Sequence, residues 1–233
     1  MKERPIMFKA EMVRAMLEGR KTQTRRPVKP QPPKHVAGLR PYYGQPNRWI
    51  DAEGSNYEIK CPFGVPGDRL WVRETWKDFF KRTPENNGCS YLADYGYRLD
   101  LVSNEQARLN WKWRSAMFMP RWASRITLEI VSVRVDRVQS ITEEDAIAEG
   151  VDAVSMADVP RQATMSRRSD FAQLWDRLYL KSPKHIRRRK SSSKPTDRFD
   201  ATHAPNSPLA WALNPWVWVV EFQQVNESRG GGR

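Results

Sequence analysis

Cysteine and histidine are scarce in this chain. Its two cysteines, Cys61 and Cys89, are too far apart to form a metal-binding motif, and its three histidines, His35, His185 and His203, share no ligand spacing. Zinc is therefore not expected, and nothing else in the sequence asks for a cofactor. So few thiols also argue against a disulfide-stapled secreted domain and fit a reducing compartment. No run of about 18 apolar residues occurs, which excludes a membrane-spanning helix and leaves no membrane partner to expect. The opening residues, Met-Lys-Glu-Arg-Pro, lack an apolar signal region, so a cytoplasmic protein is expected. No internal repeat is visible. Acidic residues are the last shortage, with 27 Asp and Glu against 40 Lys and Arg in 233 residues, a net charge of +13. A polyanionic partner is expected, nucleic acid first.

The remaining composition is that of a soluble globular chain, 39% hydrophobic and 29% charged, long enough for one well-buried domain with embellishments. Ten tryptophans and seven tyrosines could stack on single-stranded or flipped bases; equally, most of the tryptophans could fill a small core.

The chain is organised around Gly19-Arg20-Lys21-Thr22-Gln23-Thr24-Arg25-Arg26, four basic side chains and two hydroxyls in eight residues. Met12, Val13, Met16 and Leu17 precede it at helical spacing, so one face of residues 9–18 is expected to be buried. Gly19 suits the left-handed residue that ends such a helix, and Pro27 and Pro30 stop regular structure beyond the motif. Lys21, Thr22 and Thr24 then lie on a helix-to-strand connection. A desolvated Lys21 would lose proton affinity and could take a proton from a nearby hydroxyl. Arg20, Arg25 and Arg26 would depress it further and could hold a phosphate or a developing oxyanion. The plain alternative is a basic turn on a solvated face.

Gly-Arg-Lys-Thr-x-Thr after an amphipathic helix resembles the signature of the ASCH family, small β-barrel domains related to the PUA fold. Three further stretches are similar to long phage and prophage members: Cys61-Pro-Phe-Gly-Val-Pro-Gly-Asp-Arg-Leu-Trp-Val-Arg-Glu-Thr-Trp76, Met119-Pro-Arg-Trp-Ala-Ser-Arg125 and Asn214-Pro-Trp-Val-Trp-Val-Val-Glu-Phe222. The resemblance covers roughly residues 4–151 and 170–225. It implies an α+β fold: a small mixed β-barrel of PUA-like type, with helices at the barrel mouth and long loop insertions. One branch of the family, bacterial 4-acetylcytidine amidohydrolase, removes an acetyl group from the exocyclic nitrogen of the base with a Lys, a Thr and a Glu. Lys21, Thr24 and Glu149 match those three positions. The branch members are far shorter, which separates the chemistry from the identity of the substrate. RNA cleavage, reported in the wider family, and non-catalytic RNA or modified-base binding are the other readings. RNA or a modified nucleoside is the partner each implies.

The domain is expected to occupy residues 1–225, with insertions at 27–60, 77–112 and 181–213 and a disordered tail at 226–233. Residues 4–8 read as a first strand. The 27–60 stretch reads as loop with a short strand near 57–60. Val65-Pro-Gly-Asp68 is a type II turn signal leading into a core strand. Leu70 and Val72 share one face of that strand, Trp71 and Arg73 the other. Trp71 and Glu74 join the expected binding set, with Glu74 a second candidate acid or partner of Lys21, or else a structural ion pair. Asn86-Asn87-Gly88 marks a turn, residues 91–97 a possible strand, and Trp111, Trp113, Met117, Phe118 and Met119 an aromatic and sulfur-rich cluster expected to be core more than stacking platform.

The longest strand signal runs through Ile126, Leu128 and Ile130, then shifts phase to Val131, Val133 and Val135, the mark of a bulge or barrel corner. Arg121 and Arg125 would sit near its mouth as phosphate contacts. Thr142 with Asp145 resembles a capping box, and Gly150 closes the short helix it starts. Glu149 then falls in the last turn, where the helix dipole disfavours a carboxylate. Residues 152–168 read as loop or frayed helix. Residues 169–180 read as a helix burying Phe171, Leu174, Trp175 and Leu178. The basic stretch 184–194, with Arg187, Arg188 and Arg189, is either an electrostatic arm for a nucleic-acid backbone or a solvated linker. The final strand places Trp216, Trp218, Val220 and Phe222 on one face.

Overall fold

The computed structural model describes residues 1–78, 89–95, 113–151, 166–180 and 208–225. The Asn86-Asn87-Gly88 turn, Trp111, the 152–165 stretch, the basic stretch with Arg187, Arg188 and Arg189, and the 226–233 tail lie outside those residues. The elements in chain order are β1 (Glu3–Met7), α1 (Ala10–Leu17), β2 (Gln23–Pro27), β3 (Leu39–Tyr42), β4 (Gln45–Asp51), β5 (Glu58–Lys60), β6 (Arg69–Arg73), β7 (Trp76–Asp78), β8 (Cys89–Tyr91), β9 (Thr127–Arg137), α2 (Glu143–Ala148), α3 (Arg167–Tyr179) and β10 (Trp216–Val225). The fold is mixed α+β and dominated by sheet.

The main sheet has five strands in the order β1-β6-β9-β10-β2, with β1 parallel to β6 and the other pairs antiparallel. Among the described residues it is open. No ladder joins β1 to β2, so the closed barrel that the sequence led us to expect is not formed there. Side chains occupy the gap instead. Arg26 Nη2 donates to the Met7 carbonyl at 2.6 Å, and its guanidinium lies 4.9 Å from the Phe8 ring centroid.

β10 is buried on both faces because it is apolar at every position from Trp216 to Val220. Trp216, Trp218, Val220 and Phe222 enter one core, with Ile6, Phe8, Val13, Met16, Leu70, Val72 and Ile130. Val217 and Val219 enter a second, beneath α2 and α3, with Ala146, Phe171 and Trp175. The phase shift in β9 is a bulge: Ile130 pairs with Phe222 and Ser132 with Glu221, leaving Val131 unpaired and 52% exposed. Trp49, Trp76, Trp175, Trp216 and Trp218 are all core residues.

Three expectations need correction. Residues 27–60 are not mainly loop, since they hold a three-stranded sheet, β3-β4-β5. Its short strands, with prolines in β3 and β4, carry little alternation, but Gly44 at φ +74° allows the tight β3–β4 turn. Nor is the 117–119 cluster uniformly core. Met119 is buried, whereas Met117 and Phe118 are 58% and 72% exposed on a short 3-10 turn. Of residues 91–97, those described, 91–95, give the end of β8 at Tyr91 followed by a 3-10 turn over Leu92–Tyr95.

Candidate functional site

The motif folds as its residue types require. Val13, Ala15 and Met16 anchor α1 in the core, and Gly19 ends it at φ +74°. The amides of Arg20 and Lys21 both return to the Ala15 carbonyl, which turns the chain back under the helix. Thr22 then donates to the Ala148 carbonyl and accepts from Phe222, fastening the connection to α2 and β10. α2 starts at Thr142, whose hydroxyl accepts from the Asp145 amide at 3.1 Å, as the capping pattern implies. It ends at Gly150, φ +77°. A Cβ there would lie 2.9 Å from Ala15 Cβ and 3.1 Å from Lys21 Cβ. This glycine is what lets the Lys21 stem pass α2.

Two chain-distant residues meet as a result. The side chain of Lys21 is 0% exposed, and its Nζ donates to Glu149 Oε2 at 2.8 Å, the Glu149 carbonyl at 2.6 Å and the Gln23 carbonyl at 2.7 Å. The last-turn position of Glu149 is thereby explained: an ammonium sits on both its carboxylate and its helix-terminal carbonyl, offsetting the dipole. Burial pushes the Lys21 amine below its ordinary value; Glu149 opposes that shift, while Arg26 and Arg25 add to it. Glu149 Oε1 is shut off from solvent with no hydrogen-bond partner among the described residues, and Arg25 Nη1 stands 3.8 Å away.

Arg25 is not a free phosphate contact. Its side chain is 0% exposed and Nη2 donates to Asp145 Oδ2 at 2.7 Å. Burial raises the Asp145 carboxyl, but Arg25 and Arg134 together outweigh this and hold it below its ordinary range. Alternation along β2 puts Gln23 and Arg25 on the side of α2. Thr24, opposite Val220, and Arg26 face the core that carries Phe8. Thr24 is 3% exposed. Lys21 lies at the start of this strand, with its Nζ 5.6 Å from the Phe8 centroid. The structure thus joins Lys21 to Glu149, while Thr24 stays three residues away on the opposite strand face from Arg25.

Glu74 is not the partner of Lys21. It is 1% exposed, and Arg125 grips it through Nε at 2.9 Å and Nη2 at 3.2 Å. Arg125 also reaches Asp94 at 2.8 Å and lies 4.0 Å from the Tyr91 ring centroid. Burial raises the Glu74 carboxyl, with Arg125 pulling the other way. Arg125 is therefore a strut, not an open phosphate contact. Arg121 binds Glu3 at 3.0 Å and the Thr127 hydroxyl at 3.2 Å. Arg20 pairs with Glu18 through Nε at 2.8 Å. Trp71 is half-buried under the guanidinium of Arg73 at 4.9 Å. Among the described residues no three His, Cys, Asp or Glu side chains group to hold a metal, and both Cys61 and Cys89 are buried free thiols.

Sequence reasoning missed Phe8, Tyr179 and the second role of Asp145. Burial raises the Tyr179 phenol, Arg26 pulls it down and Glu149 pushes it up, which places it beside both. Asp145 was legible only as a cap; its spacing of four from Glu149 on a short helix was the available signal that both carboxylates face β2. A cleft of about 710 Å³ opens between the edges of β1 and β2, lined by residues that include Arg26 and Tyr179 but not Lys21, Thr24 or Glu149.

Set against family models, curated proteins and solved structures, the chain matches none. No helix among the described residues is long and apolar enough to cross a membrane.

Proposed function

We propose that this is a PUA-like protein of ASCH type, acting in the cytoplasm, that hydrolyses the acyl amide on the exocyclic nitrogen of a modified cytidine. The observation that carries the reading is the enclosed Lys21–Glu149 pair, 2.8 Å apart and 128 residues distant in sequence. These are two of the three positions that the motif resemblance names for that chemistry. Thr24 Oγ1 would attack the acyl carbonyl while Lys21 takes its proton. For that step Lys21 must first pass a proton to Glu149, a transfer that a dry site favours because it removes two buried charges at once. Glu149 then returns the proton to the departing amine nitrogen, and water releases the acyl group from Thr24 as a carboxylate.

A second reading, a non-catalytic module for RNA or a modified base, is favoured by one specific observation. All three N–H groups of Lys21 are already committed, and the nearby cleft opens away from them. In that reading Lys21 and Glu149 are a structural pair. The two separate on incubation of the purified protein with 4-acetylcytidine, followed by chromatography, beside Thr24→Ala and Glu149→Gln. Turnover by the parent that is lost in both variants upholds hydrolysis. Absence of turnover in the parent leaves the binding module.

A further inference from the structure

The cleft between β1 and β2 is more than a gap in the sheet. The β-ladder stops on both sides of it, and β5, the outer strand of the small sheet, supplies a third wall. Its apolar lining is aromatic in part: Trp218 from β10, Phe63 from the turn before β6 and Tyr179 from the end of α3, with Ile59 beside them. Four cations line the same space, Arg26, Lys29, Lys60 and Arg73, against one carboxylate, Glu58, which is already paired with Arg48. Lys29 and Lys60 are exposed and have no carboxylate partner among the described residues. Arg26 is held from two sides, by the Met7 carbonyl and the Phe8 ring, yet its Nε is enclosed without a partner. The volume, about 710 Å³, falls in the range of sites that enclose one small ligand.

Planar apolar surface with unneutralised cations at the rim is the chemistry of a nucleotide, whose base wants a stacking or apolar wall and whose phosphate wants cations. We infer that this cleft is a nucleotide seat, in which the base lies among Phe63, Trp218 and Tyr179 and the phosphate meets Lys29, Lys60 and Arg26. The seat is separate from the Lys21–Glu149 pair and does not rest on the hydrolytic reading. A free nucleotide and one residue of a single-stranded RNA offer the same chemistry.

The test is calorimetric titration of the full chain, at one fixed ionic strength, with cytidine 5′-monophosphate, ribose 5-phosphate and a single-stranded pentaribonucleotide. Lys29→Glu with Lys60→Glu is expected to weaken nucleotide binding by about tenfold or more. The same charge change at two exposed cations that do not line the cleft, Lys34→Glu with Arg40→Glu, is expected to shift it by less than about twofold. Phe63→Ala is expected to weaken it by about fivefold or more and to erase the preference for the nucleotide over ribose 5-phosphate. Comparable binding of the monophosphate and the pentamer assigns the seat to free nucleotides; binding of the pentamer alone assigns it to RNA. The inference is overturned by no binding of either, by equal losses in the two charge-reversed proteins, or by ribose 5-phosphate binding as tightly as the nucleotide.

Discussion

Glu149 and Glu74 are both buried carboxylates, each gripped by a single dominant cation, and they differ in what that cation can do. Glu149 faces Lys21, a point charge whose amine is pushed down by burial. Glu74 faces Arg125, whose planar fork makes two parallel bonds and whose proton cannot be given up. The first pair joins its carboxylate to a cation that can lose a proton; the second joins its carboxylate to one that cannot. The neighbours sharpen the contrast. Around Glu149, one oxygen is left without a hydrogen bond among the described residues. Around Glu74, both oxygens are bonded and Asp94 and Tyr91 complete the cage. Equal burial therefore does not imply equal function. A site where a proton can move needs a partner that can lose one, together with an acceptor oxygen whose lone pairs are free.

The most direct way to break this comparison is to exchange the cations. On the proposed hydrolytic reading, Lys21→Arg keeps the charge and removes the readily exchanged proton, so turnover of an N-acylated cytidine should fall by about 10²–10⁴-fold. Arg125→Lys should leave turnover within about twofold while losing about 1–2 kcal/mol of stability with the fork. Parallel assays and denaturant melts of the two variants decide it, and equal loss of turnover in both would erase the distinction.

Next in size are the truncations that strand a buried charge. Asp145→Ala leaves Arg25 enclosed without its 2.7 Å partner, and Glu74→Ala does the same to the half-enclosed Arg125. Each should cost about 3–5 kcal/mol, Asp145 more than Glu74 because Arg125 keeps Asp94 at 2.8 Å, whereas the carboxylate left to Arg25, Glu149, stands 3.8 Å away. Chemical denaturation measures both, and the reverse order would mean that the Glu74 cluster is the tighter of the two.

Gly150→Ala should cost about 2 kcal/mol, from the left-handed backbone and the 2.9 Å approach to Ala15 Cβ. The insertion is at the Lys21 stem, so on the proposed hydrolytic reading turnover should fall with stability. A melting temperature within error of the parent would show that α2 can shift aside freely.

The smallest effect is the dependence on pH, where the two regions have opposite signs. The Asp145 carboxyl is lowered in the fold, so its contribution is present above the ordinary value of about 3.9 and fades as the pH falls through the folded value. The Glu74 carboxyl is raised, so its contribution is complete below about 4.3 and is lost as the pH rises through the folded value. Melting temperatures between pH 3 and 7 should therefore show a shallower acid limb in Asp145→Asn and a flatter decline toward neutrality in Glu74→Gln. Superimposable curves from the two variants would contradict the assignment.

Local signals in the sequence carried far. The helix before Gly19, the cap at Thr142, the turn at Val65-Pro-Gly-Asp68, the Leu70/Val72 face and the bulge after Ile130 depend on interactions within a few residues, and each is where its pattern put it. Less legible were features that depend on a partner strand or helix. The strands of residues 39–60 are short and interrupted by proline, so only their ladder reveals them. Met117 and Phe118 have core composition and lie on the surface because the turn that carries them points outward.

The candidate site divides along the same line. Sequence alone determined that Lys21 and Thr24 follow a helix stop, that Glu149 ends a capped helix and that the chain is strongly basic, because caps, glycine stops and charge counts are local or additive properties. Only the tertiary structure decided that Glu149 rather than Glu74 takes Lys21, that Arg25 and Arg125 are consumed by carboxylates, and that β1 and β2 leave a cleft between them. The physical reason is that ion pairing is set by which groups are shut off from water together. That is decided by the order of strands in the sheet and by the helix that covers them, which the spacing of residues along the chain does not specify.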